Sequence, residues 1–149
     1  MNAVVGILAH VWWSEPEAEI PVLTRGPADL LVPILEGLGL SPSSGLWTDA
    51  AHTLGVARSP AGLFVGWLDV GWLTADEPFT EMRDITHLVE RPSPEPLAHE
   101  LGIALAEAAR SRVEHLRGCD RCDERFVPGQ MFGAACCHSC AVRDGDACG

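Results

Sequence analysis

Four of the six cysteines in this 149-residue chain are spaced for a single task. Cys119 and Cys122 flank two residues, Cys137 and Cys140 flank two more, and fourteen residues separate the pairs. A Cys-x-x-Cys turn aims two thiolates at a common point. Two such turns complete the tetrahedron in which zinc is held, so the spacing predicts one Zn2+ on Cys119, Cys122, Cys137 and Cys140. A segment of ~30 residues cannot bury enough apolar surface to fold alone, and a metal supplies what the core lacks. Cys136 in place of Cys137 gives a permissible Cys-x-x-x-Cys spacing, and Cys148 stands apart in the tail. His138, between the second pair, is an alternative ligand in place of Cys137, but its awkward phase favours a position beside the ligands or at the surface.

Four thiolates close the coordination sphere and leave no position for a water, so the expected role of the metal is structural. The deaminase-type alternative needs a His/Cys-x-Glu partner upstream, which Cys119-Asp120-Arg121-Cys122-Asp123-Glu124 does not offer. His10, His52, His87, His99, His115 and His138 are scattered, and none forms an i, i+4 pair with an intervening glutamate. His52 near Asp49, and His99 beside Glu100, are the polar couples the order of residues allows. No phosphate-cradling glycine loop and no Gly-x-Ser-x-Gly elbow occurs. The expectation is therefore a protein that is not an enzyme, with a hydrolase using His52 or His87 as the remotest reading.

All ten basic residues are arginine, against twenty-one acidic ones. Residues 1–109 hold four arginines and fifteen acids, a balance of −11, whereas residues 110–149 are balanced at six and six. An acidic surface of this kind repels phosphate backbones and favours basic partners. The one basic cluster, Arg110, Arg112, Arg117, Arg121 and Arg125, is interleaved with Glu114, Asp120, Asp123 and Glu124. It is the basis of a nucleic-acid reading, set against helix-end charges and local ion pairs. Five tryptophans lie at positions 12, 13, 47, 67 and 72. They fill the core, or one of them anchors a partner, as tryptophan does at interfaces.

The elements that must position these residues follow from pattern. Val4–Trp13 reads as a buried first strand with no basic leader, which gives a cytoplasmic expectation. No apolar run reaches eighteen residues, so no membrane span is expected. Pro27 to Leu38 predicts a helix that turns Leu30, Leu31, Ile34, Leu35 and Leu38 inward, with Pro33 as a fault in its interior. Ser41–Gly45 reads as a loop, Leu46–Ser59 as one or two strands, Ser59–Gly62 as a turn, and Leu63–Leu73 as the best strand. Arg83–Glu90 is the last strand. A long helix over residues 93–117 follows, capped by Ser93, started by Pro94 and closed by a left-handed Gly118. Its stripe is Leu97, Leu101, Ala104, Leu105, Ala108 and Leu116. Because it runs directly into Cys119, the cysteine module should be packed against the rest of the chain. Between the cysteine pairs, Phe126-Val127, Pro128-Gly129 and Met131-Phe132 suggest a hairpin.

The fold class expected is α+β: a mainly antiparallel sheet with one or two packed helices, in residues 1–117, and a zinc module in residues 118–149. A knuckle, a hairpin and a second pair opening a short helix resemble a treble-clef finger; a zinc ribbon is the close alternative. The Trp-ending first strand, the Gly26-Pro27-Ala28-Asp29-Leu30-Leu31 helix start and the strands around Phe64–Trp72 weakly resemble small immunity proteins that neutralise bacterial polymorphic toxins. The −11 acidic N-terminal part, the surplus tryptophans and the lack of a catalytic constellation lead to the expectation of a zinc-stapled module that binds a basic protein, of which the immunity protein is one version. The alternative is a regulator that binds nucleic acid through the finger and the arginine cluster.

Overall fold

A computed structural model of the chain describes residues 30–133 and 135–145. Its elements are a helix α1 (Leu31–Gly37), strands β1 (Ser41–Ser43), β2 (Leu46–Thr48), β3 (Leu54–Ser59), β4 (Gly62–Thr74) and β5 (Glu77–Leu88), and a long helix α2 (Pro94–His115). The cysteine module follows as β6 (Arg117–Gly118), β7 (Arg125–Phe126), a 3-10 turn (Pro128–Gln130) and helix α3 (His138–Asp144). The predicted strand Val4–Trp13, with His10, Trp12 and Trp13, lies outside the described residues, as do the helix start at Pro27 and Cys148.

β1 to β5 form an antiparallel sheet in which every strand pairs with its neighbours in sequence. Short connections with suitable turn residues make this meander. Ser44 and Gly45 both adopt positive φ, at 52° and 83°, the pairing of a two-residue hairpin turn matched to strand twist. Ser41–Ser43, expected as loop, is therefore a strand. It sits at the sheet edge, where the missing donor of Pro42 is tolerated. β5 begins at Glu77, not at the expected Arg83, because a turn at Ala75-Asp76 folds the chain straight back onto β4. Between Val65 and Trp67 the β4–β5 register shifts. Gly66 stands at that bulge, and a Cβ there would press on the Arg83 carbonyl.

α2 lies across one face of the sheet. Leu97, Leu101, Ala104 and Leu105 meet Trp47, Val56, Leu63 and Val65, and α1 closes the end of this core with Leu31 and Leu35. Leu46, Ala57, Leu68 and Met82 form a second cluster on the other face. The expected α2 stripe is thus buried, except that Leu116 is only half-buried. Burying a side chain of the size of Leu101 contributes roughly 1.5–3 kcal/mol.

Of the inward set on α1, Leu31 and Leu35 are buried, Ile34 is half-buried, and Leu30 and Leu38 are exposed, since the described helix is two turns long and presents a narrow stripe. Pro33 is its third residue, where a backbone N–H would have no acceptor within the described helix. α2 spans Pro94–His115 and not 93–117. Ser93 makes no side-chain cap, and Gly118 does not close the helix, because Leu116 is already extended at φ −63°, ψ 142° and Gly118 belongs to β6.

The loop between β2 and β3 is organised by Asp49. Its carboxylate accepts hydrogen bonds from the Thr53 amide at 2.7 Å, the Leu54 amide at 3.0 Å and the Thr53 hydroxyl. Burial works to raise the Asp49 pKa, but the Thr53 hydroxyl and the two amides outweigh it and hold it below the ordinary value. The expected couple with His52 is not formed through side chains. The His52 amide donates to the Asp49 carbonyl, and the His52 ring lies 3.4 Å from the Thr48 hydroxyl. Asp49→Ala should cost about 1–2 kcal/mol of stability at neutral pH, read by urea unfolding. A folded-state pKa below the unfolded one stabilises fully above the unfolded value of ~3.9 and is lost as pH falls through the folded value. The difference between wild type and variant should therefore shrink below about pH 4; a pH-independent difference would assign the effect to loop packing.

Candidate metal centre

The end of α2 delivers the chain to the first cysteine pair. β6 and β7 form a two-stranded hairpin with Arg117 opposite Phe126 and Gly118 opposite Arg125. Cys119-Asp120-Arg121-Cys122 is the knuckle at its tip. The Cys119 amide donates to the Glu124 carbonyl at 2.9 Å and the Asp123 amide to the Cys119 carbonyl at 2.8 Å, with Asp123 at φ 63°. Arg125 reaches back and donates to the Leu116 carbonyl at 3.3 Å, satisfying an acceptor left free where α2 ends.

The second pair sits at the start of a helix. Cys137 precedes the first turn of α3, Cys140 lies within that turn, and Gly145 at φ 76° ends the helix with its amide on the Ala141 carbonyl. The sequence suggested a hairpin of Phe126-Val127 with Met131-Phe132. Instead Phe126 pairs back to Arg117, Pro128–Gln130 turns as a 3-10 helix, and Met131 bridges Cys137.

These two turns bring the thiols of Cys119, Cys122, Cys137 and Cys140 together, with all four sulfurs within 4.8 Å of one another. Around a centre ~2.3 Å from each sulfur, a regular tetrahedron has edges of about 3.8 Å. The group could hold a metal ion. Cys119, Cys137 and Cys140 are buried and Cys122 is half-buried. The Cys137 amide donates to the Cys119 sulfur at 3.3 Å and the Arg143 guanidinium to the Cys140 sulfur at 3.5 Å, and each of these contacts favours negative charge on the sulfur it touches. The Cys137 amide, with those of Cys122 and Arg121, lowers the Cys119 thiol to about 6. Burial and the neighbouring thiols push Cys140 up to about 12. A cation among them would be taken up with release of protons.

Cys136 is buried against the same cluster but is disulfide-bonded and stands outside the group of four. His138 is likewise outside it. Its ring stacks on Trp72 with centroids 4.8 Å apart and planes parallel, and Phe132 meets it edge-on at 5.7 Å.

The module is docked on the exposed edge of β4. β3 ends its pairing at Trp67, so beyond that point β4 and β5 run on as a two-stranded arm. The Gly129 amide donates to Asp69 at 2.8 Å, and the Trp72 indole donates to the Gly129 carbonyl at 2.7 Å. Gly129 approaches so closely that a Cβ would overlap the Val70 carbonyl. Trp47 and Trp67 are buried, whereas Trp72 remains 38% exposed. The contacts that Asp69 and His138 make between the two regions have one signal in the sequence, an aspartate inside an otherwise apolar strand.

Other candidate residues are committed locally. His87 contacts the Ala61 carbonyl and stacks on Phe64, His115 accompanies Trp67, and Glu100 pairs with Arg91 and not with His99. Within the arginine cluster, Arg121 pairs with Asp144. No helix among the described residues is long and apolar enough to cross a membrane. No family model, curated protein or solved structure matches the chain.

Cys140→Ser should remove one of the four sulfurs and abolish stoichiometric metal binding, read by elemental analysis of the reduced protein. Amide-exchange protection should be lost from Gly118 to Asp144 while β3 and β4 keep theirs, because the sheet has its own apolar core. Retention of a full equivalent of metal would remove Cys140 from the ligand set.

Proposed function

We propose that the chain is a non-enzymatic binding protein, stapled by Zn2+ on Cys119, Cys122, Cys137 and Cys140 in a treble-clef-like module, whose partner is a basic protein. Zinc suits a closed tetrahedral set of four thiolates, and such a set leaves no open position for chemistry. A knuckle on a hairpin, with the second pair opening a helix, supports the treble-clef type over the ribbon.

The observation that carries the binding role is an exposed apolar shelf where the β4–β5 arm meets the module. Trp72, Phe132 and Val142 are all exposed there. They border a groove of about 500 Å3 lined by Trp72, Ala75, Phe132, His138, Ala141 and Val142. Aromatic side chains left part-exposed around a groove are the anchors that protein interfaces use. Asp76 and Glu77, exposed at the tip of the arm, stand at the rim, and the chain as a whole carries −11. Both favour a basic partner. The arginines that support the nucleic-acid alternative are partly engaged: Arg121 with Asp144, and Arg125 with carbonyls of α2. An immunity-type protein that blocks a basic toxin is one form this function takes.

Phe132→Ala and Val142→Asp change the shelf without touching a cysteine or the Gly129 contact. Each should weaken capture of a basic partner from native lysate by tenfold or more, as truncated interface anchors do at about 1.4 kcal/mol per tenfold. Metal content should be unchanged. Undiminished capture by both variants, or salt-dependent retention on DNA as the one interaction found, would sink this reading.

A further inference from the structure

A second opening, on another side of the junction, is not used by the shelf or by the cysteines. It has a volume of about 620 Å3 and lies between the β2–β3 loop, the bare edge of β4, the 3-10 turn and α2. That is the size of a small-molecule site. Arg112 lines it from α2. The Arg112 Nε is buried and has no hydrogen-bond partner, and among the described residues the guanidinium has no ion pair. An arginine cannot shed its charge, and a guanidinium that lines a cavity without an ion pair suits an anionic acceptor placed there.

The nearest acid at the cavity cannot serve. Asp69 also lines it, but its oxygens accept from the amides of Val70 and Gly129 and from Arg83. The remaining wall has two characters. Leu68, Val70, Phe79 and Val127 are apolar, while Thr48, His52 and Gln130 offer hydrogen bonds. A guanidinium fork matches a carboxylate with two parallel bonds. Arg112 is the one arginine lining the cavity, and a single positive charge, in a chain of net charge −11, disfavours a dianion, which argues against phosphate. The apolar wall requires an apolar body.

We infer that this cavity binds a small organic monocarboxylate, its carboxylate paired with Arg112 and its apolar body against Phe79 and Val127. The site is independent of the protein-binding shelf and does not rest on that reading.

The test is a titration of the metal-replete full chain with benzoate at constant ionic strength, followed by two-dimensional NMR. Benzoate should shift the Arg112 Nε–H resonance and the amides of His52, Val70 and Gln130 along one saturable curve. Benzamide, which has the same shape and no charge, should bind at least tenfold more weakly, and so should inorganic phosphate. Arg112→Gln should lose at least tenfold in affinity with an unchanged circular dichroism spectrum. Arg112→Lys keeps the charge without the fork and should fall between; it carries the test if the glutamine variant does not fold. No saturable shift, benzamide binding as tightly as benzoate, phosphate binding more tightly, or undiminished binding by a folded Arg112→Gln would each overturn the assignment.

Discussion

The side chain of Asp69 is 1% exposed, and a carboxylate so enclosed survives only when its oxygens are filled. The Val70 amide donates to it from within its own strand, Arg83 from the neighbouring strand, and Gly129 from the cysteine module. Of these three donors, only Gly129 comes from outside the sheet. The same residue receives the Trp72 indole on its carbonyl, so both polar groups of Gly129 are held by β4. That arrangement requires the turn to lie against the strand with no side chain in between, which only glycine permits. Once the turn is placed, the Trp72 ring is set to stack on His138, the residue directly after Cys137. A short series of contacts therefore runs from a buried acid in the sheet to one of the four clustered thiols.

Seen from the module, the arrangement divides the work. Cys119, Cys122, Cys137 and Cys140 determine its internal shape, and the contacts of Gly129 determine where it sits. α2 contributes the third constraint, since Arg125 ties the β6–β7 hairpin to the last carbonyls of the helix. The apolar shelf and the cavity lined by Arg112 lie on two sides of this one junction. The shelf draws its residues from the β4–β5 arm and the module, and the cavity from the sheet, the long helix and the module, so neither feature exists in any one of them alone.

Much of this was legible in the chain. The α+β class, the antiparallel sheet, the long helix and the clustered cysteines follow from patterns that act over short distances: the aromatic and β-branched residues of Leu63–Leu73, the stripe from Leu97 to Ala108, and the repeated Cys-x-x-Cys spacing. What escaped depends on contacts distant in sequence. Phe126 pairs back to Arg117 and not forward to Met131, a choice set by the end of α2. Gly118 reads as a helix terminator in isolation, but a strand partner claims it. Asp69 and Gly129 are sixty positions apart and neither has a local signature for the other. Ser41–Ser43 is a strand only because Leu46–Thr48 is present to pair with it.

The neighbour-to-neighbour order of the sheet has a kinetic meaning. Pairing β1 to β2, β3 to β4 and β4 to β5 closes connections of two residues each, and β2 to β3 a connection of five. Short closures cost little chain entropy, and topologies built from them cross low barriers. The contact of Gly129 with Asp69 closes a far longer loop and requires β4 to exist first as a surface. The expected time order is therefore meander, then α2 upon it, then the cysteine module. A nascent chain would present its thiols to the cell's metal supply beside a scaffold already formed.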